Sequence, residues 1–127
     1  MEVCRECVEQ RSALAAEFEP LGALFAALGE GNRQRVLLAL LTCRQVGLRT
    51  EELAERTHLS RPAVSRHLRL LREVGAVAVY RQGTRNYYYP NAEADCWRRL
   101  RTLAGHICDV VDSAAEEGYP HFEEEAF

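Results

Sequence analysis

The sequence predicts a mainly α-helical domain with one β-hairpin, because its apolar pattern changes twice along the chain. Up to about residue 75, and again after residue 91, apolar side chains recur at the spacing of amphipathic helices. Between these parts, residues 76–80 and 86–89 are β-branched or aromatic runs that flank Gln82-Gly83-Thr84, a sequence that favours a turn. Helices followed by a hairpin wing and a last helix indicate a winged helix-turn-helix of the α-α-α-α-β-β-α type.

The length of the chain predicts a single domain, since 127 residues can build one hydrophobic core but not two. We expect one winged-helix unit over residues 1–127. Its parts are an N-terminal arm and helix (1–20), a helix-turn-helix (50–74), a wing (76–90), a dimerisation helix (92–117) and a frayed acidic tail (118–127). No apolar run approaches the roughly 20 residues of a membrane-spanning helix, and the charged N-terminus does not resemble a signal peptide. We therefore expect a cytoplasmic protein without membrane association.

The segments before residue 44 are predicted to form three packing helices. The first two cover about 6–18 and 21–28, with Pro20 interrupting the helical pattern between them. Asn32 is a favourable N-cap after a glycine-rich break, so we expect it to begin a third helix that ends near Cys43.

Two short helices then follow in close succession. Thr50 is expected to cap the first, over residues 51–57, and Ser60 to cap the second, from Arg61 to about Val74. Gly75 is expected to terminate the second helix. The apolar residues of this segment point into one small core: Leu53, Ala54, Leu59, Val64, Leu68 and Leu71. The other face of the second helix is therefore left free. His58 stands where helix-turn-helix turns often hold glycine, so a positive φ is expected there; histidine tolerates this better than most residues.

Charge is distributed unevenly along the chain. The formal net charge is -3, yet residues 33–85 contain eleven arginines and four acidic residues, a local net charge of +7. The rest of the chain carries -10. A basic middle between acidic ends indicates a surface that binds nucleic acid on an otherwise anionic protein.

The free face of the second short helix carries side chains suited to reading DNA. Arginine and serine can reach phosphates and the acceptor edges of guanine in the major groove, and small apolar groups can contact a thymine methyl. The residues expected to contact DNA from the helix are Ser60, Arg61, Pro62, Ala63, Ser65, Arg66 and Arg69. Arg81 and Arg85, at the ends of the hairpin, are expected to contact the phosphate backbone or the minor groove. Tyr87, Tyr88 and Tyr89 must alternate between faces, so one or two should pack beneath the wing.

The last predicted helix runs from Ala92 to about Glu117, with Asn91 as its cap. Its apolar face is Trp97, Leu100, Ala104, Ile107, Val111 and Ala114, and it is widened by Leu103, Cys108 and Val110. So wide an apolar arc predicts two partners, the helix's own domain and a second subunit.

Three segments resemble the ArsR/SmtB family of bacterial metal- and stress-responsive repressors. LFAALGEGNRQRVLLALL is similar to the family's entry helices, LSRPAVSRHLRLLREVGAV to its recognition helix and YRQGTRNYYYP to its wing; the resemblance covers about residues 24–111. It implies a homodimer built by the first and last helices, which binds a pseudo-palindromic operator in double-stranded DNA, usually as a repressor released by an effector. It also places the family's base-reading positions at Ser60, Arg61, Ala63, Ser65 and Arg66, and its wing contacts at Arg81 and Arg85.

The family's known metal sites are not matched. Its metalloid site has two cysteines in the first helix of the helix-turn-helix, and residues 47–53 contain none. Its zinc site on the last helix resembles Asp-x-His followed by a second pair. Here His106 and Asp109 keep the spacing of that second pair, but Trp97 replaces the histidine that should follow Asp95.

Five cysteines leave several sensing hypotheses open: Cys4, Cys7, Cys43, Cys96 and Cys108. Cys4 and Cys7 have the spacing to grip one soft metal or metalloid ion if Cys108 or Cys96 supplies a further thiolate. Alternatively, Cys43 and Cys108 form a redox or persulfide pair, the cysteines have only packing roles, or the regulator has no small-molecule effector. An odd number of cysteines without an export signal predicts reduced thiols and no disulfide framework.

Other classes of protein are less compatible with the sequence. The four histidines are far apart, and no nucleophile elbow, phosphate loop or carboxylate pair is visible, so we expect no enzyme. The alternative is a winged helix that binds only protein. The net charge of +7 over residues 33–85 favours a DNA-binding winged helix over this alternative.

Overall fold

The computed structural model describes residues 5–116 and Gly118, with the backbone alone for residues 5–7. In chain order, the elements are α1 (Arg5–Phe18), a 3-10 turn (Glu19–Leu21), α2 (Gly22–Leu28), α3 (Gly31–Thr42), α4 (Thr50–Thr57), α5 (Arg61–Glu73), β1 (Val77–Gln82), β2 (Arg85–Pro90) and α6 (Asp95–Glu116). The predicted fold class, mainly helical with a β-hairpin wing, is confirmed, although five α-helices and not four precede the hairpin in the described residues. Within the described ranges, every helix is too short or too polar to cross a membrane.

The start of α3 differs from the prediction, because Glu30 and not Asn32 is its N-cap. The Glu30 carboxylate accepts hydrogen bonds from the backbone N–H groups of Asn32 (3.1 Å) and Arg33 (2.8 Å). These bonds, that of Arg33 first, lower the pKa of Glu30. A charged carboxylate that reaches two free amides at the positive end of a helix outcompetes an amide side chain at this position.

The start of α4 also differs from the prediction, because the helix begins at Thr50 and its cap is Arg49. Arginine has no acceptor, so the cap is stabilised from inside the helix: one Glu52 carboxylate oxygen accepts from the backbone N–H and from the Nε of Arg49, both at 3.2 Å. The two acidic residues expected in the first turn, Glu51 and Glu52, are there.

Helix α5 begins and ends as predicted. The Ser60 hydroxyl accepts from the N–H of Ala63 at 3.2 Å. At the other end, Gly75 has φ +81° and donates to the Arg72 carbonyl at 3.0 Å, while Ala76 donates to the Leu71 carbonyl at 2.9 Å. This pair of bonds is a Schellman motif, which satisfies the last carbonyls and turns the chain directly into β1.

The wing is a two-stranded antiparallel hairpin in which Gln82 pairs with Arg85. Gly83, the first of its two loop residues, has φ +65°, as this class of tight turn requires. Leu48, in the connection between α3 and α4, exchanges two backbone hydrogen bonds with Tyr88 of β2, at 2.9 and 2.8 Å. The wing is therefore tied by backbone to the segment that leads into α4.

The alternation predicted for the wing tyrosines is confirmed. Tyr88 packs against the hydrophobic core. The rings of Tyr80 and Tyr87 stack on each other with centroids 5.2 Å apart, and Tyr89 contacts Tyr80 at 5.8 Å. The tyrosines therefore stabilise the wing through contacts with each other and with the core.

One hydrophobic core joins the elements. The six residues predicted to form the centre of the helix-turn-helix are in it: Leu53, Val64, Leu68 and Leu71 are fully buried, and Ala54 and Leu59 are partly buried against them. Leu21 and Leu24 reach it from the first helices, and Leu103 from α6.

Helix α6 begins three residues later than predicted. Asn91 caps a turn instead of the helix, since its side-chain oxygen accepts from the Glu93 N–H at 3.2 Å. The predicted apolar face is also not uniformly covered: Leu103 is fully buried, whereas Ile107 is 38% and Val111 58% exposed. Beyond Leu103, α6 packs against α1, which leaves Ile107 and Val111 facing outward.

Candidate nucleic-acid interface

Helix α5 presents a polar, mostly exposed face opposite its core residues. Arg61, Pro62, Ser65, Arg66 and Arg69 are all exposed, while the side of the helix that holds Val64, Leu68 and Leu71 is buried. Ala63 is half-buried. Ser60 is exposed, but its hydroxyl already accepts the capping hydrogen bond. The structure thus brings the predicted helix residues together at one surface, with Ser60 mainly structural.

The arginines on this face are not neutralised by the protein. In the described part of the chain, Arg61, Arg66 and Arg69 form neither ion pairs nor side-chain hydrogen bonds. Arginine side chains with unused donors and full charge can bind phosphates and guanine edges without first breaking internal contacts.

The wing supplies a second group of arginines. Arg85 is exposed beside the hairpin turn, and together with Thr84 and Asn86 it lines a polar recess against Arg49 and Thr50 at the start of α4. Arg81 is exposed too, but its Nε donates to the Gly83 carbonyl at 3.1 Å. Arg85 is consequently the freer of the two predicted wing contacts.

The turn between α4 and α5 has the predicted backbone conformation. His58 lies in the left-handed region with φ 58° and ψ 27°. Two hydrogen bonds hold the end of α4 before it: the Thr57 hydroxyl donates to the Leu53 carbonyl at 2.6 Å, and the Arg35 guanidinium donates to the Thr57 carbonyl. Sequence reasoning missed the role of Arg35, because it counted this residue only as positive charge.

His67 is a second residue that sequence reasoning missed. It lies on α5 beside Arg66 but points inward, where 2% of it is exposed, and its Nδ1 is 3.7 Å from a Glu30 carboxylate oxygen. Burial is the main cause that lowers the pKa of its imidazole. Its position on the core side of α5, three residues after Val64, was the available signal.

The cysteine hypotheses gain no geometric support from the described residues. Cys4 and the side chain of Cys7 lie outside them. Cys43, Cys96 and Cys108 are free thiols, and no group of three or more His, Cys, Asp or Glu side chains in the described ranges is arranged to hold a metal ion. The Cys43 thiol contacts the carbonyls of Leu40 and Gln45 at 3.3 Å. Burial raises the pKa of the Cys96 thiol, which makes it a poorer thiolate ligand.

The residues that correspond to the family's zinc site, His106, Asp109 and Trp97, lie in contacts within the chain. His106 Nδ1 is 2.6 and 2.7 Å from the two carboxylate oxygens of Glu17, so it links α6 to α1. Asp109 lines a shallow cavity beside this pair. Trp97 donates from its indole nitrogen to the Ala76 carbonyl at 3.1 Å, so the side chain that replaces a family ligand anchors α6 to the start of the wing.

Known sequences match this chain over the segment that contains the helix-turn-helix. A sequence model described as "Bacterial regulatory protein, arsR family" matches residues 31–79, from α3 into β1. The arsenic resistance transcriptional regulator ArsR1 of Pseudomonas putida is 36% identical to the chain over 74 residues. The helix-turn-helix region of the chain, residues 31–79, matches the ArsR family. The match with the Pseudomonas regulator covers 58% of this chain and 56% of the relative, so the chain spans little more than half the length of that curated protein.

Two solved structures, one described as ArsR-like and one as a possible ArsR-family regulator, share the fold over a longer part of the chain. An ArsR-like transcriptional regulator from Rhodococcus sp. RHA1 has a TM-score of 0.62 at 27% identity, over 83% of this chain and 97% of its own. A homodimeric winged helix-turn-helix DNA-binding domain from Mycobacterium bovis has a TM-score of 0.52 at 27% identity, and the match covers 90% of this chain and 94% of that domain. The likeness to these two structures therefore extends well beyond the helix-turn-helix segment.

Proposed function

We propose that this chain is an ArsR-family, sequence-specific DNA-binding transcriptional regulator that acts in the cytoplasm as a repressor released by an effector. One observation carries the proposal: Arg61, Arg66 and Arg69 stand unpaired on the exposed face of a helix whose other face is fixed in the core. This supports DNA binding, because unpaired donors stand on a helix of a size that the major groove admits. Residues 1–127 act as one unit in this proposal, without a membrane partner and without a catalytic role.

The proposal assigns two kinds of contact to the interface. The first turns of α5, with Arg61, Pro62, Ala63, Ser65 and Arg66, read base edges, whereas Arg69 and the wing residues Arg81 and Arg85 bind phosphates. Base contacts depend on sequence, but phosphate contacts do not. Substitutions in the two groups therefore have different signatures.

We further propose a homodimer that binds a pseudo-palindromic operator. The Mycobacterium relative is described as homodimeric, and α6 leaves Ile107 and Val111 exposed beside α1, on which Val8 and Phe18 are exposed as well. Exposed apolar side chains on two adjacent helices favour association with a second copy of the same surface.

The decisive experiment is titration of labelled upstream DNA with wild-type protein and two arginine variants. Arg66→Ala should lose about 1–3 kcal/mol of binding free energy on the preferred site and relax its sequence preference. Arg85→Ala should weaken binding to all DNA sequences alike, and it should lower the slope of log affinity against log salt concentration by about one. Arg101→Ala, an exposed arginine on α6, is the matched control and should bind as wild type.

Two results would contradict DNA recognition. Binding that does not change with salt, or that shows no preference for half-sites spaced by a helical turn or its multiples, would leave the protein-binding winged helix as the better interpretation.

A thiol-based sensor is the second candidate for the effector half of the function, and the Pseudomonas relative, described as an arsenic resistance regulator, favours a metalloid. Zinc, arsenite and persulfide should each be tested as agents that release DNA, with Cys4, Cys7, Cys43 and Cys108 replaced one at a time. If no thiol reagent changes DNA affinity, the cysteine hypotheses fail together.

A further inference from the structure

His67 is a buried ionisable group on the back of the proposed DNA-reading helix. It is 2% exposed and follows Arg66, whose side chain points to solvent. Any force on the imidazole therefore acts on the same turn of α5 that carries a proposed base contact. The proposed DNA-binding role of Arg66 does not itself need a titratable group at this place.

The ring faces the N-terminus of α3 without bonding to it. Its Nδ1 has no hydrogen-bond partner in the described structure, and the nearest carboxylate oxygen, Glu30 Oε2, is 3.7 Å away, beyond hydrogen-bond length. That oxygen already accepts from the Arg33 N–H at 2.8 Å. The Nε of Arg33 is buried and unpaired as well, although its Nη1 donates to the Ala27 carbonyl at 3.0 Å. Two unpaired buried nitrogens thus lie at the joint between α5 and α3.

Three charged groups face the imidazole: Glu30 before α3, Arg33 on α3 and Arg66 on α5 itself. Burial, the largest cause, lowers the pKa of His67; Glu30 opposes that shift, while Arg33 and Arg66 add to it. The ring is therefore neutral at and above neutral pH, as its burial favours. As the pH falls below the ordinary histidine value of about 6.5, the unfolded chain takes up this proton before the folded chain does, so acid removes stability.

We propose that His67 is a proton-sensitive positioning residue, and that its protonation displaces α5 relative to the N-terminus of α3 and weakens specific DNA binding. The step is a simple protonation by solvent at Nδ1. It creates a donor 3.7 Å from Glu30 Oε2. The Glu30 carboxylate is held by the amides of Asn32 and Arg33, so we expect the ring to move when the new ion pair shortens to bonding distance. Because the ring belongs to α5, that movement also changes where Arg61, Arg66 and Arg69 point. The proposal rests on the DNA-binding function proposed above.

The first test compares the specificity of wild type and His67→Gln between pH 7.5 and 5.5 at constant ionic strength. The readout is affinity for the preferred site divided by affinity for a random duplex of the same length, because this ratio cancels non-specific gains from other histidines. Wild type should lose about tenfold in this ratio, the equivalent of one base contact, whereas His67→Gln should stay constant and match wild type at pH 7.5. His106→Gln, at the contact between α1 and α6, should keep the wild-type profile.

The second test needs no DNA, so it separates failure of this proposal from failure of the DNA-binding function. Imidazole NMR signals of the free protein should show His67 titrating below about 6.5, with the amide signals of residues 30–33 and 61–73 moving in step. Glu30→Gln removes the facing carboxylate and should lower the midpoint further, which keeps the test available if His67→Gln does not fold. A ring that titrates without those amide shifts, or a pH profile that His67→Gln leaves unchanged, overturns the proposal.

Discussion

His58 illustrates what a single residue contributes to the turn between α4 and α5. Its φ of 58° places a side chain with a Cβ in a region that suits glycine, and it is the only non-glycine residue in the described structure with a positive φ. A Cβ in this conformation costs roughly 1–2 kcal/mol. The turn is held regardless, because Ser60 caps the next helix and Arg35 binds the carbonyl of Thr57.

We expect His58→Gly to stabilise the fold. Removal of the Cβ strain outweighs the extra freedom that glycine gives the unfolded chain, which leaves a gain of about 0.5–1 kcal/mol. Urea unfolding monitored by circular dichroism measures it. His58→Val, with a branched Cβ in the same conformation, should destabilise instead. Equal stability of the two variants would show that the turn stores no strain.

Residue roles were predictable where they depend on near neighbours in the chain. Ser60 was identified as a cap because its partner is three residues away, and His58 because turn length fixes its conformation. Glu30 was missed in favour of Asn32, since the better cap depends on which side chain reaches two amides at once. The burial of His67 against Glu30 is a contact between residues 37 positions apart, which periodicity cannot supply.

At the scale of elements, the close approach of Gly47 to the wing is critical. A Cβ at Gly47 would lie 3.0 Å from the Tyr88 carbonyl oxygen and 3.2 Å from the Cβ of Tyr87. The neighbouring residue, Leu48, makes the two backbone hydrogen bonds to β2. A side chain at position 47 would therefore push the connection between α3 and α4 away from the hairpin.

Gly47→Ala should consequently destabilise the protein by about 1–3 kcal/mol through overpacking, with the loss centred on the wing. Gly22→Ala is the matched control: it lies in helical conformation at the start of α2 with nothing within 4 Å of the added methyl, so it should be neutral or slightly stabilising. Hydrogen exchange of the β2 amides together with thermal unfolding checks both. Unchanged protection at Tyr88 in Gly47→Ala would refute the expected mechanism.

The elements themselves were predicted well, and their boundaries less so. The switch from helical to alternating spacing located α5 and the hairpin, while Asn91 suggested a helix that starts at Ala92 instead of Asp95. The apolar arc of α6 was visible in the sequence. How it divides between core, α1 and solvent depends on packing, which puts Leu103 inside and Val111 outside.

At the scale of the whole molecule, the proposed dimer predicts that two equally exposed apolar residues behave differently. Val111 on α6 and Leu38 on α3 are each 58% exposed. Val111→Glu should give a monomer and weaken operator binding, because it introduces like charges across a two-fold interface, whereas Leu38→Glu should remain dimeric. Light scattering coupled to size-exclusion chromatography decides between them. A dimer that survives Val111→Glu but not Leu38→Glu would relocate the interface to α3.

The hydrogen bond from Trp97 to the Ala76 carbonyl has a practical consequence for the whole molecule. The indole is the chain's single tryptophan, and it spans the joint where α6 meets the residue between the Schellman turn and the wing. Its fluorescence therefore comes from one known site, between the helix proposed to pair the subunits and the segment proposed to touch DNA. A shift in emission wavelength on addition of a metal ion, an oxidant or acid would report, without any label, that the contact between α6 and the start of the wing has changed.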